Sequence, residues 1–200
     1  MVVRLLSYAP ETAALIPLTI DQAAGGNYGG LAGQATLFGE RLTRSINAGM
    51  HNSVVCSEDA PYYAKIDAEL DRAALARTYI GPEQYESLKT LCELWPVGPT
   101  DSDFREPIDA TAPVLVLSGE FDPITPPAYG DRLTAALSNA THYIAPGQGH
   151  GIIARGCVPR IAAHFVRTAD LASTAETEGG CIDELQAMPF FLNTMGPIAP

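Results

Sequence analysis

Basic residues are scarce in this chain. Its 200 residues hold 12 Lys and Arg against 23 Asp and Glu, a formal charge of −11. Nucleic-acid binders gather Lys and Arg to neutralise phosphates, so the balance argues against that class and against an anionic membrane surface. Long apolar runs are also missing, and no membrane span is expected, because a span needs ~20 such residues. The apolar share is still 46 %, enough for a core and too much for a disordered chain. The start, Met1-Val-Val-Arg4-Leu-Leu-Ser-Tyr-Ala-Pro10, has one Arg and a short apolar patch before Pro10 and Glu11, and does not read as a secretory signal. Cysteine is limited to Cys56, Cys92, Cys157 and Cys181. No pair has Cys-x-x-Cys spacing and no His stands at zinc-finger distance, so no metal site is expected. Three disulfide pairings are open, as is a set of four reduced, buried thiols. The run Gly25–Gly30 is flanked by helical rather than strand sequence, so it is no phosphate loop and no cofactor is expected.

What is present divides into a helical first part and an alternating second part. Residues 1–50 read as helical: Leu31, Ala35, Phe38, Leu42, Ile46 and Met50 recur at a spacing near four, after the glycine-rich break. Ser53-Val-Val-Cys56 is a short apolar run before Ser57-Glu58-Asp59-Ala60-Pro61, which fits a buried strand ending in an acidic loop. Residues 62–79 and 82–94 read as helices separated by Gly81-Pro82, and 100–112 as a polar linker. Residues 114–117 form a continuous apolar β-type run, as in a parallel strand covered on both faces. Pro126-Pro127 opens a helix, and 141–145 is another strand. Residues 157–169 are amphipathic with Val158, Ile161, Ala162, Phe165, Val166 and Ala169 inward, and 173–180 reads as a soft polar connector. The last twenty residues, rich in Pro, Met and Phe, have no clear place. Strand, helix, strand, helix is the α/β pattern, with few parallel strands flanked by helices.

In such sheets the chemistry lies beyond the carboxyl ends of the strands. Two segments put a reactive side chain there, 28 residues apart. They are Pro113-Val-Leu-Val-Leu-Ser-Gly-Glu-Phe-Asp122-Pro-Ile-Thr-Pro-Pro127 and Tyr143-Ile-Ala-Pro-Gly-Gln-Gly-His150-Gly151. A serine hydrolase needs an imidazole to take the nucleophile's proton and a carboxylate to hold that imidazole in the right tautomer. In α/β-hydrolases the acid precedes the His in the chain. Asp122 and His150 obey that order. The plainer alternatives are a turn or capping aspartate and a loop histidine. The paired placement favours catalysis. His51, His142 and His164 read as bland, and Trp95 and Tyr62-Tyr63 as packing residues.

These segments are similar to the C-terminal part of the α/β-hydrolases related to bacterial tripeptidyl and prolyl aminopeptidases, and most similar to their TAP-like C-terminal domain. Ser53-Val-Val-Cys56-Ser-Glu58-Asp59 resembles the strand returning from the cap, Cys92-Glu-Leu-Trp95-Pro96 a Cys-x-x-Trp-Pro motif, and Cys157 with Cys181 a late cysteine pair. The resemblance implies that 1–50 is the end of a helical cap. It implies that 51–200 is the C-terminal part of the hydrolase core with its TAP-like domain. It makes Asp122 the residue that orients His150, and His150 the general base and acid. It places Glu58 or Asp59 near the site, where acidic groups hold a substrate's α-ammonium. It pairs Cys56 with Cys92 and Cys157 with Cys181; the second bridge closes a loop worth about 3 kcal/mol in the chain-entropy model. It implies a periplasmic or extracellular parent acting on a peptide with a free N-terminus, or on a small ester or amide.

One element of that family is absent. No Ser lies in a Gly-x-Ser-x-Gly context, and Ser118 belongs to the Asp122 strand. The expectation is a chain that lacks the nucleophile and oxyanion hole and is inactive alone, the half with the nucleophile being either upstream sequence of a truncated or mis-started enzyme or a separate chain of a split one. The alternative is a non-catalytic interaction module that kept the fold.

Overall fold

The computed structural model describes residues 2–69, 71–78, 82–106 and 110–197. They fall into two compact units, one within 34–106 and the other made of 2–33 together with 110–197.

The first unit is helical. It contains most of α4 (Gly29–Ser45), then α5 (Ala48–Glu58), a 3-10 turn (Ala60–Tyr62), α6 (Tyr63–Glu69), α7 (Arg72–Ala76) and α8 (Glu83–Cys92). The strand expected at 53–56 is therefore a helix. Asn47 sets its start by accepting a hydrogen bond from the Met50 N–H at 3.0 Å. A four-residue apolar run carries no period of its own, so the cap decides. The stripe expected from Leu31 to Met50 is also broken. α4 stops at Ser45, and Ile46 and Met50 are exposed; the side chain of Leu42 lies outside the described set. The helices expected at 62–79 and 82–94 appear as α6, α7 and α8; residues 70 and 79–81 lie outside the described set. Cys56, 1 % exposed, is bonded to Cys92, with the Cα atoms 5.1 Å apart, and this bridge joins α5 to α8. Asp67 collects Lys89, Arg72 and the Tyr85 hydroxyl. The Trp95 indole donates to Ser53 Oγ at 3.2 Å, and the Gly98 N–H to Ser57 Oγ at 2.9 Å.

The second unit is α/β. β1 (Val114–Gly119) and β2 (Ala140–Ala145) pair in parallel, from Val114 opposite Ala140 to Gly119 opposite Ala145. The crossover between them carries α9 (Pro127–Ala136), which Pro127 opens at a position that needs no N–H donor. α10 (Val158–Thr168) packs back on the strands. Ala145, Ile152, Val158, Ile161 and Ile182 form the core, with Leu115, Leu117 and Tyr143 against it. Val158 and Ile161 are fully buried, worth about 1.5–3 kcal/mol each. Val166, expected inward, is 80 % exposed, because the buried arc of α10 is narrower than its apolar content. The connector expected at 173–180 is instead α11 (Leu171–Glu178). The Asp170 carboxylate caps it through the N–H groups of Ala172 and Ser173, and Gly179 ends it in the left-handed region. Those cap residues, not apolar period, specify it. Cys157 and Cys181 are bonded, Cα to Cα 6.5 Å, and tie α10 to the segment after α11.

The short helices α1 (Val2–Leu6), α2 (Pro10–Ala13) and α3 (Ile16–Ala24) belong to this unit. The tail now has a place. The Phe191 N–H donates to the Ala14 carbonyl at 2.9 Å, and Gln148 Nε2 to the Gln186 carbonyl at 3.0 Å. β3 (Phe191–Asn193) and β4 (Gly196–Pro197) close as an antiparallel hairpin. Among the described residues no helix is long and apolar enough to cross a membrane.

Candidate active site

β1 ends at Gly119, and the next residues turn toward the loop after β2. The Glu120 N–H donates to the Ala145 carbonyl at 3.0 Å, and the Phe121 N–H to the Gln148 carbonyl at 2.9 Å. The Glu120 carboxylate accepts the Gly147 N–H at 2.8 Å. The Asp122 and His150 loops are thus laced together before either side chain is placed. Gly119 makes this possible: a Cβ there would lie 2.6 Å from the Gln148 carbonyl oxygen and closer still to that of Gly149.

Asp122 is fixed by its own turn. One carboxylate oxygen accepts the N–H groups of Ile124 and Thr125 at 2.8 and 2.9 Å, and the other accepts the Thr125 hydroxyl at 2.9 Å. This is an Asx turn, stiffened by Pro123 and Pro126. The His150 Nδ1 lies 2.9 Å from Oδ2 and 3.1 Å from Oδ1. Burial pushes the Asp122 carboxyl up, but the hydrogen bonds from Thr125, Ile124 and His150 outweigh it and hold the group below its ordinary range. It is therefore ionised at neutral pH. A carboxylate can only accept, so the proton between the two sits on Nδ1.

The contrast in exposure gives the pair its polarity. The Asp122 side chain is 4 % exposed and that of His150 is 40 % exposed. The His150 N–H donates to the Tyr8 carbonyl at 2.7 Å, and the Tyr8 ring meets the imidazole edge-on at 5.6 Å. Gly149 admits that contact, since a Cβ would lie 2.9 Å from the Tyr8 carbonyl carbon. Nε2 has no hydrogen-bond partner among the described residues. A buried carboxylate, an oriented, partly exposed imidazole and an Nε2 without a partner can accept a proton from a hydroxyl and return it to a leaving group.

Glu58 and Asp59 end α5, in the other unit. Arg105 donates to the Glu58 carbonyl at 3.0 Å and to the Asp59 carboxylate at 2.9 Å, and its guanidinium stacks on Tyr62. The Asp59 ion pair is exposed and worth about 0–1 kcal/mol, leaving the carboxylate accessible. Among the described residues no group of three or more His, Cys, Asp or Glu is placed to hold a metal.

The sequence reading missed a second polar chain. The Ser118 hydroxyl lies 2.8 Å from His142 Nε2, and His142 Nδ1 lies 2.9 Å from the Asp131 carboxylate. Ser118 is 8 % exposed and the His142 side chain 7 %, which closes that hydroxyl to a substrate. The chain ties β1, β2 and α9 together. The signal available was polar residues at 118 and 142 inside otherwise apolar strands. His164 is likewise bonded to Ser173, across α10 and α11.

A family model described as TAP-like protein matches residues 77–178, half of the chain, and that span holds Cys92, Asp122, His150 and Cys157. No curated protein and no solved structure matches the chain.

Proposed function

We propose, from the premise that this chain belongs to the TAP-like α/β-hydrolase family, that it supplies the acid and base of a Ser-His-Asp triad. Its reaction is acyl transfer to water, on a peptide with a free N-terminus. Asp122 orients His150. His150 takes the proton of a serine nucleophile and delivers it to the leaving amine. The observation that carries this reading is the 2.9 Å contact between His150 Nδ1 and a buried Asp122, with Nε2 left free. Glu58 or Asp59 binds the substrate's α-ammonium, with Asp59 exchanging Arg105 for that group. Residues 1–50 act as the end of a cap and 51–200 as the C-terminal part of the core. The two disulfides support an oxidising compartment, periplasmic or extracellular.

These residues contain no Gly-x-Ser-x-Gly, so the chain alone is inactive. The triad and its oxyanion donors act as a unit, and half of it retains little rate. The test joins this chain to a TAP-like segment carrying Gly-x-Ser-x-Gly and follows release from a tripeptidyl p-nitroanilide. Turnover should appear only in the combined protein and fall at least ~10³-fold with His150→Ala. Turnover indifferent to His150→Ala refutes the assignment. Failure of every such combination, with both parts folded, favours the non-catalytic module.

A further inference from the structure

Next to His150 the structure holds a small apolar cavity of about 90 Å³. Ala13 and Ala14 line it from one side and Gly147 and Gly149 from the His150 loop, while Phe121 and Phe190 stand at its edge, 61 % and 58 % exposed. None of the described residues lining it is charged. The hydroxyl of Ser7, which also borders it, already donates to the Arg4 carbonyl at 2.7 Å. The cavity is lined by the chain neighbours of both residues in the His150–Tyr8 hydrogen bond. Gly149 directly precedes His150, and Ser7 directly precedes Tyr8, whose carbonyl holds the His150 N–H.

The tail completes this pocket, through the Gln148–Gln186 and Phe191–Ala14 hydrogen bonds. Size selects the occupant. A water needs roughly 10–15 Å³ and an apolar cavity of about 150 Å³ takes benzene. The pocket lies between them, suited to a group of three or four carbons and too small for a phenyl ring.

We infer that this cavity is the subsite for one small aliphatic side chain of the substrate, Ala- to Val-sized, next to the bond that His150 serves. The inference rests on the hydrolase reading above. Its chemistry is that of dry shape selection: apolar walls, no charge to pair, and two exposed phenylalanines to cover the entering chain.

The test is a titration of the ¹⁵N-labelled chain with N-acetyl-L-valinamide, N-acetylglycinamide and N-acetyl-L-phenylalaninamide. Each buried methylene is worth roughly fourfold in affinity. Valinamide should therefore saturate the amide shifts of Ala13, Ala14, Gly147 and Gly149 at a concentration at least about tenfold below glycinamide, and phenylalaninamide should not saturate them. Ala13→Leu should fill the cavity and abolish the valinamide response. Met188→Ala, at another wall, should admit phenylalaninamide, and it gives a readable result if Ala13→Leu does not fold. Equal saturation by glycinamide and valinamide, or no saturable shift at those four amides, overturns the inference. Because no turnover is read, that failure leaves the Asp122–His150 assignment standing, whereas loss of His150 dependence in the combined enzyme removes the hydrolase reading and with it the role given to the cavity.

Discussion

Replacing Asp122 with Asn should flip the tautomer of His150 without dismantling the loop. The carboxylate accepts four hydrogen bonds: from the N–H groups of Ile124 and Thr125, the Thr125 hydroxyl and His150 Nδ1. Asn keeps one oxygen, which can retain the two backbone N–H groups at 2.8 and 2.9 Å. Its NH₂ takes the place of Oδ2 and can only donate. Facing that donor at the nearer position, His150 Nδ1 is better matched as an unprotonated acceptor, with the retained oxygen at 3.1 Å the weaker alternative. A hydrogen bond to a charged group is worth about 1.5–3 kcal/mol, roughly a 10- to 150-fold preference between the two neutral tautomers. Long-range ¹H–¹⁵N correlation of the neutral imidazole reads this directly. Native protein should show a protonated Nδ1 and an unprotonated Nε2, and Asp122→Asn the reverse. An unprotonated Nδ1 in the native chain, or an identical pattern in the variant, would refute the orienting role of Asp122.

Three further outcomes follow from the same contacts. Removing the Cys157–Cys181 bridge with paired Ser substitutions frees a loop of sequence separation 24 and should lower the urea-derived stability of the second unit by about 3 kcal/mol; mass spectrometry without reduction should show the Cys56–Cys92 and Cys157–Cys181 peptide pairs. The depressed Asp122 carboxyl contributes stability that is full above its unfolded value of about 3.9 and is lost as pH falls through the lower folded value; urea melts from pH 6 to pH 2 should show this acid limb, and Asp122→Asn should flatten it. Gly130→Ala would place a Cβ 2.6 Å from His142 Nε2 and should cost about 1–3 kcal/mol, while in a His142→Ala background the added penalty should vanish, so additive losses in the double-mutant cycle would contradict the contact.

The parts of the fold legible in the sequence were those written in consecutive residues. The apolar run before Ser118-Gly119, the turn chemistry of Asp122-Pro-Ile-Thr-Pro and the proline opening of α9 each carry their own signal. The order Asp122 then His150 needed only that both strand ends face the same way, which parallel pairing supplies. The cysteine pairing came through resemblance, since spacing alone left three pairings open. What failed was decided elsewhere in space or by one capping atom. Ser53–Cys56 was too short to show a period, and Asn47 made it a helix. α11 was hidden among Ser, Thr and Glu because Asp170 and Gly179 specify it. The chain Ser118–His142–Asp131 depends on a diagonal pairing between strands and on the missing side chain of Gly130, neither of which any local window contains.

Gly119 shows the same limit and offers a last test. A glycine directly after a strand ordinarily supplies torsional freedom for a tight turn. The Gly119 backbone is not among the positive-φ glycines, so torsional freedom is not what position 119 requires. It requires the absence of a Cβ, because the carbonyls of Gln148 and Gly149 press against it. Those carbonyls are backbone and cannot rotate away as a side chain would. Gly119→Ala must therefore push the His150 loop off the end of β1, breaking the Phe121–Gln148 hydrogen bond and parting Nδ1 from a carboxylate now 2.9 Å away. The expected result is a loss of about 1–3 kcal/mol, faster hydrogen exchange at Phe121, and faster exchange of the His150 Nδ1 proton than in the native chain. A conservative Ala that leaves that proton protected would mean that the two loops are held together by something other than this close approach.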